Sequence, residues 1–219
     1  MKASLDTNVI IHFYRAGLQD ILFETFSDGV IIYEQIRKIE LENHGSDILE
    51  LVDADIASDK IQMYTMEKLR EKSVHRIFEH HVNTNKMLYN PGDMGEVYAI
   101  SLAQTLGAFS LVTDDTKQGG PYMSLLQFND EVMPFTFADV LILRFLFGHA
   151  DAKQTVKDFD LINEKSDLEW TLKSQVTKFI KRFWKDPYRN EDREWIDRIV
   201  VENNILIKNK FVELRNLLS

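Results

Sequence analysis

Two apolar runs in this chain stop on carboxylates: Leu5 is followed by Asp6, and Leu111-Val112-Thr113 by Asp114-Asp115. Mg2+ and Mn2+ take oxygen ligands, and a small cluster of Asp and Glu supplies them while offsetting the ion's charge. One or two such ions can activate water and stabilise the charge that grows on a phosphodiester. In open parallel sheets ligands bind beyond the carboxyl ends of the strands, so acids at two strand ends from distant sequence positions would share one edge.

Glu96 is the next candidate. Ala99, Ile100 and Ala103 stand three, four and seven residues after it, so its carboxylate borders a buried stripe, a costly place unless it is paired or bound to a metal. Asp93-Met94-Gly95-Glu96 also has the spacing of a capping box, with Asp93 at the N-cap; the two roles are compatible. Glu34 and Glu40 compete for a fourth place. They are six residues apart, so on a helix they point about 120° away from each other and do not readily share a site. Glu34 ends an apolar run, whereas Glu40 follows Ile36 and Ile39 on the side expected to face inward; a solvated helix face is the plain alternative for both.

The elements that must position these acids alternate. Lys2 to Leu5 has the pattern of a strand, and Val9, Ile10, Phe13 and Leu18 have helical spacing. Ser27-Asp28-Gly29 is a turn, and Val30-Ile31-Ile32-Tyr33 is a continuous apolar run suited to a strand buried on both faces. A charged helix carries Ile36, Ile39 and Glu40 to Asn43-His44-Gly45. A strand over 61–66, a helix over 67–89, a break at Asn90-Pro91-Gly92, a helix over 93–107, a strand over 109–113, a short strand over 132–135 and a helix over 138–148 follow. Gly119-Gly120-Pro121 is a turn without the flanks of a phosphate-binding loop. Strands alternating with helices imply an α/β domain with a parallel sheet. Beyond residue 150 the strand signals fade, and an all-helical extension is expected.

Composition bounds the rest. The chain has 219 residues, 44% hydrophobic, with nine Gly and four Pro, enough for a sizeable core. It has no cysteine, which excludes disulfides, thiolate zinc sites and cysteine nucleophiles and suits a reducing cytoplasm. Neither a signal-peptide pattern nor a membrane-spanning apolar run is present, so a cytoplasmic protein with no membrane partner is expected. The net charge of −9 is uneven: residues 1–150 hold 12 Lys/Arg against 22 Asp/Glu, residues 151–219 hold 14 against 13. The acidic part would repel a polyanion unless cations neutralise some of it.

Leu5-Asp6-Thr7-Asn8 after a first strand, a helix with Ile39-Glu40-Leu41, Gly95-Glu96 opening an alanine-containing helix, and Leu111-Val112-Thr113-Asp114-Asp115 together resemble the PIN domain family, which includes the ribonuclease toxins of bacterial toxin–antitoxin pairs. The resemblance implies a three-layer α/β/α nuclease domain over 1–148 followed by a helical extension over 149–219. It implies that Asp6, Glu96 and Asp115 are metal ligands with Asp114 as an adjacent alternative, and that Glu40 completes the catalytic set. Thr7, Asn8 and Thr113 would orient the carboxylates. Mg2+ or Mn2+ would be the cofactor and RNA the substrate. An antitoxin or another protein partner, or a second copy of the chain as a homodimer, is left open. Residues 151–219 and the long stretch near 67–89 exceed what small PIN toxins carry.

The most basic stretch is Lys178-Phe179-Ile180-Lys181-Arg182-Phe183-Trp184-Lys185. Its cations, with Lys117 beside Asp115, are candidate phosphate contacts; the alternative is an amphipathic helix with Phe179, Ile180 and Phe183 inward and Lys178, Lys181, Arg182 and Lys185 in water. His75, His80 and His81 lack the i, i+4 spacing of a helical metal pair and are expected at the surface. Two other readings stand beside the metal-dependent ribonuclease. One is a catalytically inactive PIN-like binding or scaffold protein. The weaker one, a phosphohydrolase with Asp6 as nucleophile, lacks the usual second acid two residues on, where Asn8 stands.

Overall fold

The fold is that of a computed structural model, which describes residues 1–87, 94–128 and 131–217, the side chains of Phe128 and Leu217 excepted. The chain divides into two compact units, Met1–Thr136 and Phe137–Ser219.

In the first unit, β1 (Lys2–Leu5), β2 (Gly29–Tyr33), β3 (Ile61–Tyr64), β4 (Ser110–Val112) and β5 (Met133–Phe135) form one sheet in the order β3-β2-β1-β4-β5, with every pairing parallel. Parallel neighbours require crossovers, and helices supply them. Helices α1 (Thr7–Arg15) and α2 (Asp20–Thr25) lead from β1 to β2. A π-helical turn (Ile36–Glu40), α3 (Leu41–His44), a 3-10 turn (Ser46–Ile48) and α4 (Leu49–Ala57) lead to β3. Then α5 (Met66–Glu71), α6 (His75–Asn85) and α7 (Met94–Leu106) precede β4, and α8 (Pro121–Phe128) precedes β5. The α/β architecture with a parallel sheet is as the sequence implied.

The strands form where apolar, largely β-branched residues run together. Val30, Ile31, Ile32, Leu111 and Val112 expose at most 1% of their surface, and each such burial contributes roughly 1.5–3 kcal/mol. Several local expectations differ from what is found. Helix α1 stops at Arg15, short of Leu18. The helix expected over 67–89 is two helices, divided where Ser73 takes a left-handed φ of 59°. Ile39 is 49% exposed rather than inward, because the π-helical turn bonds i to i+5 and rotates later residues away from an α-helical register. Helices α4 and α8 had no counterpart in the sequence pattern. The break at Asn90-Pro91-Gly92 and the cap Asp93 lie outside the described residues.

The second unit is helical, as expected: α9 (Phe137–Leu146), α10 (Ala152–Lys165), α11 (Leu172–Ile180) continued by a π-helical turn (Lys181–Lys185), α12 (Asn190–Glu202) and α13 (Ile207–Leu217). Helix α9, grouped with the first segment by the sequence pattern, belongs to this unit. Phe137 stacks between Phe159 and Trp170, at centroid distances of 5.4 and 5.2 Å. Arg182 is 3% exposed, and its Nε donates to Asp192 at 3.0 Å. Arg189 meets the other oxygen of Asp192 at 2.6 Å, and Asp139 lies 4.0 Å from Arg182. The expectation that Arg182 faces water or phosphate is therefore corrected: the π-helical turn directs it inward, and buried acids hold it there. No helix among the described residues is long and apolar enough to cross a membrane.

Candidate functional site

The strand order reverses at β1. Strands β2 and β3 extend the sheet to one side, after which the chain returns past β1 to add β4 and β5 on the other. The connections leaving β1 and β4 start where the order reverses, and open parallel sheets bind ligands at such a point, beyond the carboxyl ends of the strands. Asp6 is fixed there because its N–H donates to Val112 O at 3.0 Å, and Thr113 is fixed because its N–H donates to Phe135 O at 2.8 Å.

Asp6 is 3% exposed and caps α1, its Oδ1 accepting the Thr7 N–H at 2.7 Å. Its Oδ2 accepts the hydroxyl of buried Thr113 at 2.9 Å, and that hydroxyl accepts the Asp115 N–H at 3.3 Å. Burial pushes the Asp6 carboxyl up to about 6. The Thr113 and Thr7 hydrogen bonds pull against this, and the neighbouring carboxylates of Asp114 and Asp115 add to the rise. Asp114 and Asp115 thus lie close enough to Asp6 to disfavour its charge.

Asp114, with 5% of its side chain exposed, meets His12 Nδ1 at 2.7 Å. An ionised Asp114 makes that nitrogen the donor. The sequence pattern did not single out His12, although it is the sole ionisable side chain among residues 7–13 of an otherwise largely apolar segment. Asp115 binds Lys117 twice: Oδ2 lies 2.6 Å from Nζ, and Oδ1 accepts the Lys117 N–H at 3.2 Å. Gly120 closes beneath it, so tightly that a Cβ there would sit 2.6 Å from Asp115 Oδ1. Residue 120 is glycine because its backbone passes against the carboxylate.

A second acidic group forms at α7. This helix runs into β4, so its first turn, with Glu96, lies toward the carboxyl edge of the sheet, and Ser4 Oγ donates to Ala99 O at 2.9 Å to dock the helix on β1. Glu96 is half-buried with Oε2 out of solvent. Glu40 packs on Gly95: a Cβ on that glycine would meet Glu40 Cγ and Cδ at 3.3 Å. Glu40 is therefore beside the helix turn that carries Glu96. Glu34 instead bonds Lys38 at 2.5 Å and the Met66 N–H at 3.2 Å, joining the end of β2 to the start of α5. Burial opposes its ionisation, but those two partners outweigh it and hold its carboxyl below the usual value.

The orienting residues divide. Thr113 bonds Asp6 directly, whereas Thr7 contributes its backbone N–H and its own buried Oγ1 finds no partner among the described residues. Asn8 is exposed. In the second unit Lys178, Lys181 and Lys185 are exposed, Lys178 above the Trp170 ring at 5.9 Å and Lys181 3.5 Å from Asp186. On α6, His80 is exposed while His75 and His81 are half-buried.

Among the described residues, no group of three or more Asp, Glu or His is arranged to hold a metal ion as it stands. The donor chemistry nevertheless fits a hard divalent cation. Asp6, Asp114 and Asp115 offer carboxylate oxygens and no soft ligand, and the cost of charging the buried Asp6 is what such a cation would relieve. Compared with known protein families, curated proteins and solved structures, the chain matches none.

Proposed function

We propose that the first unit is a PIN-like nuclease domain and the chain a metal-dependent endoribonuclease using Mg2+ or Mn2+. The observation that carries this reading is the buried Asp6 carboxyl, flanked by Asp114 and Asp115 at the point where the strand order reverses. Asp6, Glu96 and Asp115 would hold the ion, with Asp114 as the adjacent donor and Glu40 completing the set from its place against Gly95. A bound ion supplies the charge that activates water and offsets the developing phosphorane-like negative charge. Thr113 fixes the Asp6 oxygen through its hydroxyl, and the ladder bond to Val112 fixes its backbone, so the donor is oriented before any ligand arrives. Lys117, paired with Asp115, is the candidate cation for a substrate phosphate. RNA as substrate, and an antitoxin or other protein as partner, follow the family resemblance.

A binding module without catalysis is the second reading, favoured by one observation: His12 and Lys117 already balance Asp114 and Asp115. Cleavage assays separate the two. Purified protein is expected to cut single-stranded RNA with Mn2+ or Mg2+, to stop in chelator, and to lose about 100-fold or more of its rate as Asp6→Asn, in line with the loss of a residue that acts on the transition state. Unchanged cleavage by that variant overturns the nuclease assignment; no cleavage by the parent with either ion supports the binding module.

A further inference from the structure

Asp114 and Asp115 are held in different ways. His12, on α1, has 12% of its side chain exposed, so its ring is packed in place. The Lys117 side chain is 62% exposed and reaches back over a flexible stem to an Asp115 side chain that is 13% exposed. Its ammonium, 2.6 Å from Asp115 Oδ2, sits on an oxygen that an incoming cation would take. The backbone N–H of the same residue separately holds Oδ1 at 3.2 Å, and Gly120 supports the carboxylate from below. Withdrawing the ammonium into water therefore leaves Asp115 oriented and frees one oxygen.

We propose, resting on the metal-dependent reading above, that Lys117 is a tethered competitor of the divalent ion. Its ammonium occupies Asp115 Oδ2 and is displaced when the ion binds, so this residue sets how much metal the site needs. The physical basis is simple exchange of one cation for another at a shared oxygen. A monovalent ammonium on an exposed arm is the weaker partner, because an exposed ion pair of this kind is modest and readily screened. His12 does not serve the same purpose, since its ring is packed in place with 12% of the side chain exposed and its stem is short.

Calorimetric titration of the full chain with MnCl2, at fixed pH and ionic strength, tests this. Lys117→Met keeps the unbranched apolar stem of the side chain and removes its charge; Lys117→Arg keeps the charge. The Met variant is expected to bind Mn2+ about two- to fivefold more tightly than the parent, the range an exposed ion pair is worth, with the Arg variant within about twofold of the parent. Equal or weaker binding by the Met variant, with the parent still binding and Asp6→Asn abolishing it, overturns the role of Lys117 alone. No Mn2+ binding by the parent overturns both this role and the metal-dependent reading. A melting curve of the Met variant in chelator that matches the parent's shape shows that the comparison is between folded proteins.

Discussion

Asp192 and Asp6 are both buried acids, with 0% and 3% of their surface exposed, and their surroundings are opposite. Asp192, in the helical unit, takes Arg182 on one oxygen and Arg189 on the other. Its charge is matched within the fold. Asp6, at the sheet edge, takes a hydroxyl and a backbone N–H, and its charged neighbours are two more acids. Matched burial of charge fastens elements together, here the π-helical turn to α12. Asp6 is buried without a cation on it among the described residues, beside two acids that are themselves paired with His12 and Lys117, and such burial works against its ionisation, as it does for many carboxyls in ligand sites. Asp192 finds its arginines three and ten residues away, whereas the Thr113 hydroxyl reaches Asp6 from 107 residues on.

The largest way to break the comparison is to unmatch Asp192. Arg182→Met leaves that carboxylate with Arg189 alone and should cost roughly 3–5 kcal/mol, the usual penalty for removing one partner of a buried pair; urea denaturation measures it. A loss under about 1 kcal/mol would mean that Arg182 is not the clamp its geometry describes. Next, Gly120→Ala forces a methyl against Asp115 and should cost about 1–3 kcal/mol by overpacking, with weaker Mn2+ binding in the same titration. Retained stability and retained Mn2+ affinity would show that the close approach of the Gly120 backbone is not needed.

The subtlest prediction concerns pH. Asp6 titrates at about 6 in the fold against an ordinary value of 3.8, so the folded chain holds its proton where the unfolded chain has lost it. With a raised folded value, the contribution to stability is fully present below about pH 4 and is lost as pH rises through about 6. The loss is of order 3 kcal/mol, since each tenfold change in proton affinity is worth about 1.36 kcal/mol. In chelator, the stability difference between the parent and Asp6→Asn should therefore shift across this window, always toward the parent as pH falls. A difference that is flat between about pH 4 and 7 would contradict the rise that burial imposes on the Asp6 carboxyl.

Much of the frame is legible because it depends on local pattern. Val30-Ile31-Ile32 is apolar on both faces, and only a central strand needs that; Asp6 and Asp114-Asp115 directly follow such runs, so their place at the carboxyl edge follows from topology. Helix α8 is hidden because Gly119-Gly120-Pro121 has the look of a turn, although proline suits the first position of a helix and Pro121 opens α8. The orientation of Ile39 is not readable because a π-helical turn leaves no periodic signature. Arg182 resembles a surface cation in a basic run, since nothing local announces that Asp192 and Asp139 close on it. His12 is silent for the same reason, its partner Asp114 being 102 residues away.

If the buried Asp6 carboxylate carries a charge that a divalent cation offsets, metal and mutation must act on the same quantity. Thermal unfolding of the parent and of Asp6→Asn, each in chelator and in excess Mn2+, tests this most directly. A crossover is expected near neutral pH: the variant melts higher in chelator, by an amount equivalent to as much as about 3 kcal/mol, and Mn2+ raises the melting temperature of the parent but not of the variant. An Asp6→Asn protein that is less stable in chelator and gains as much from Mn2+ as the parent would contradict it.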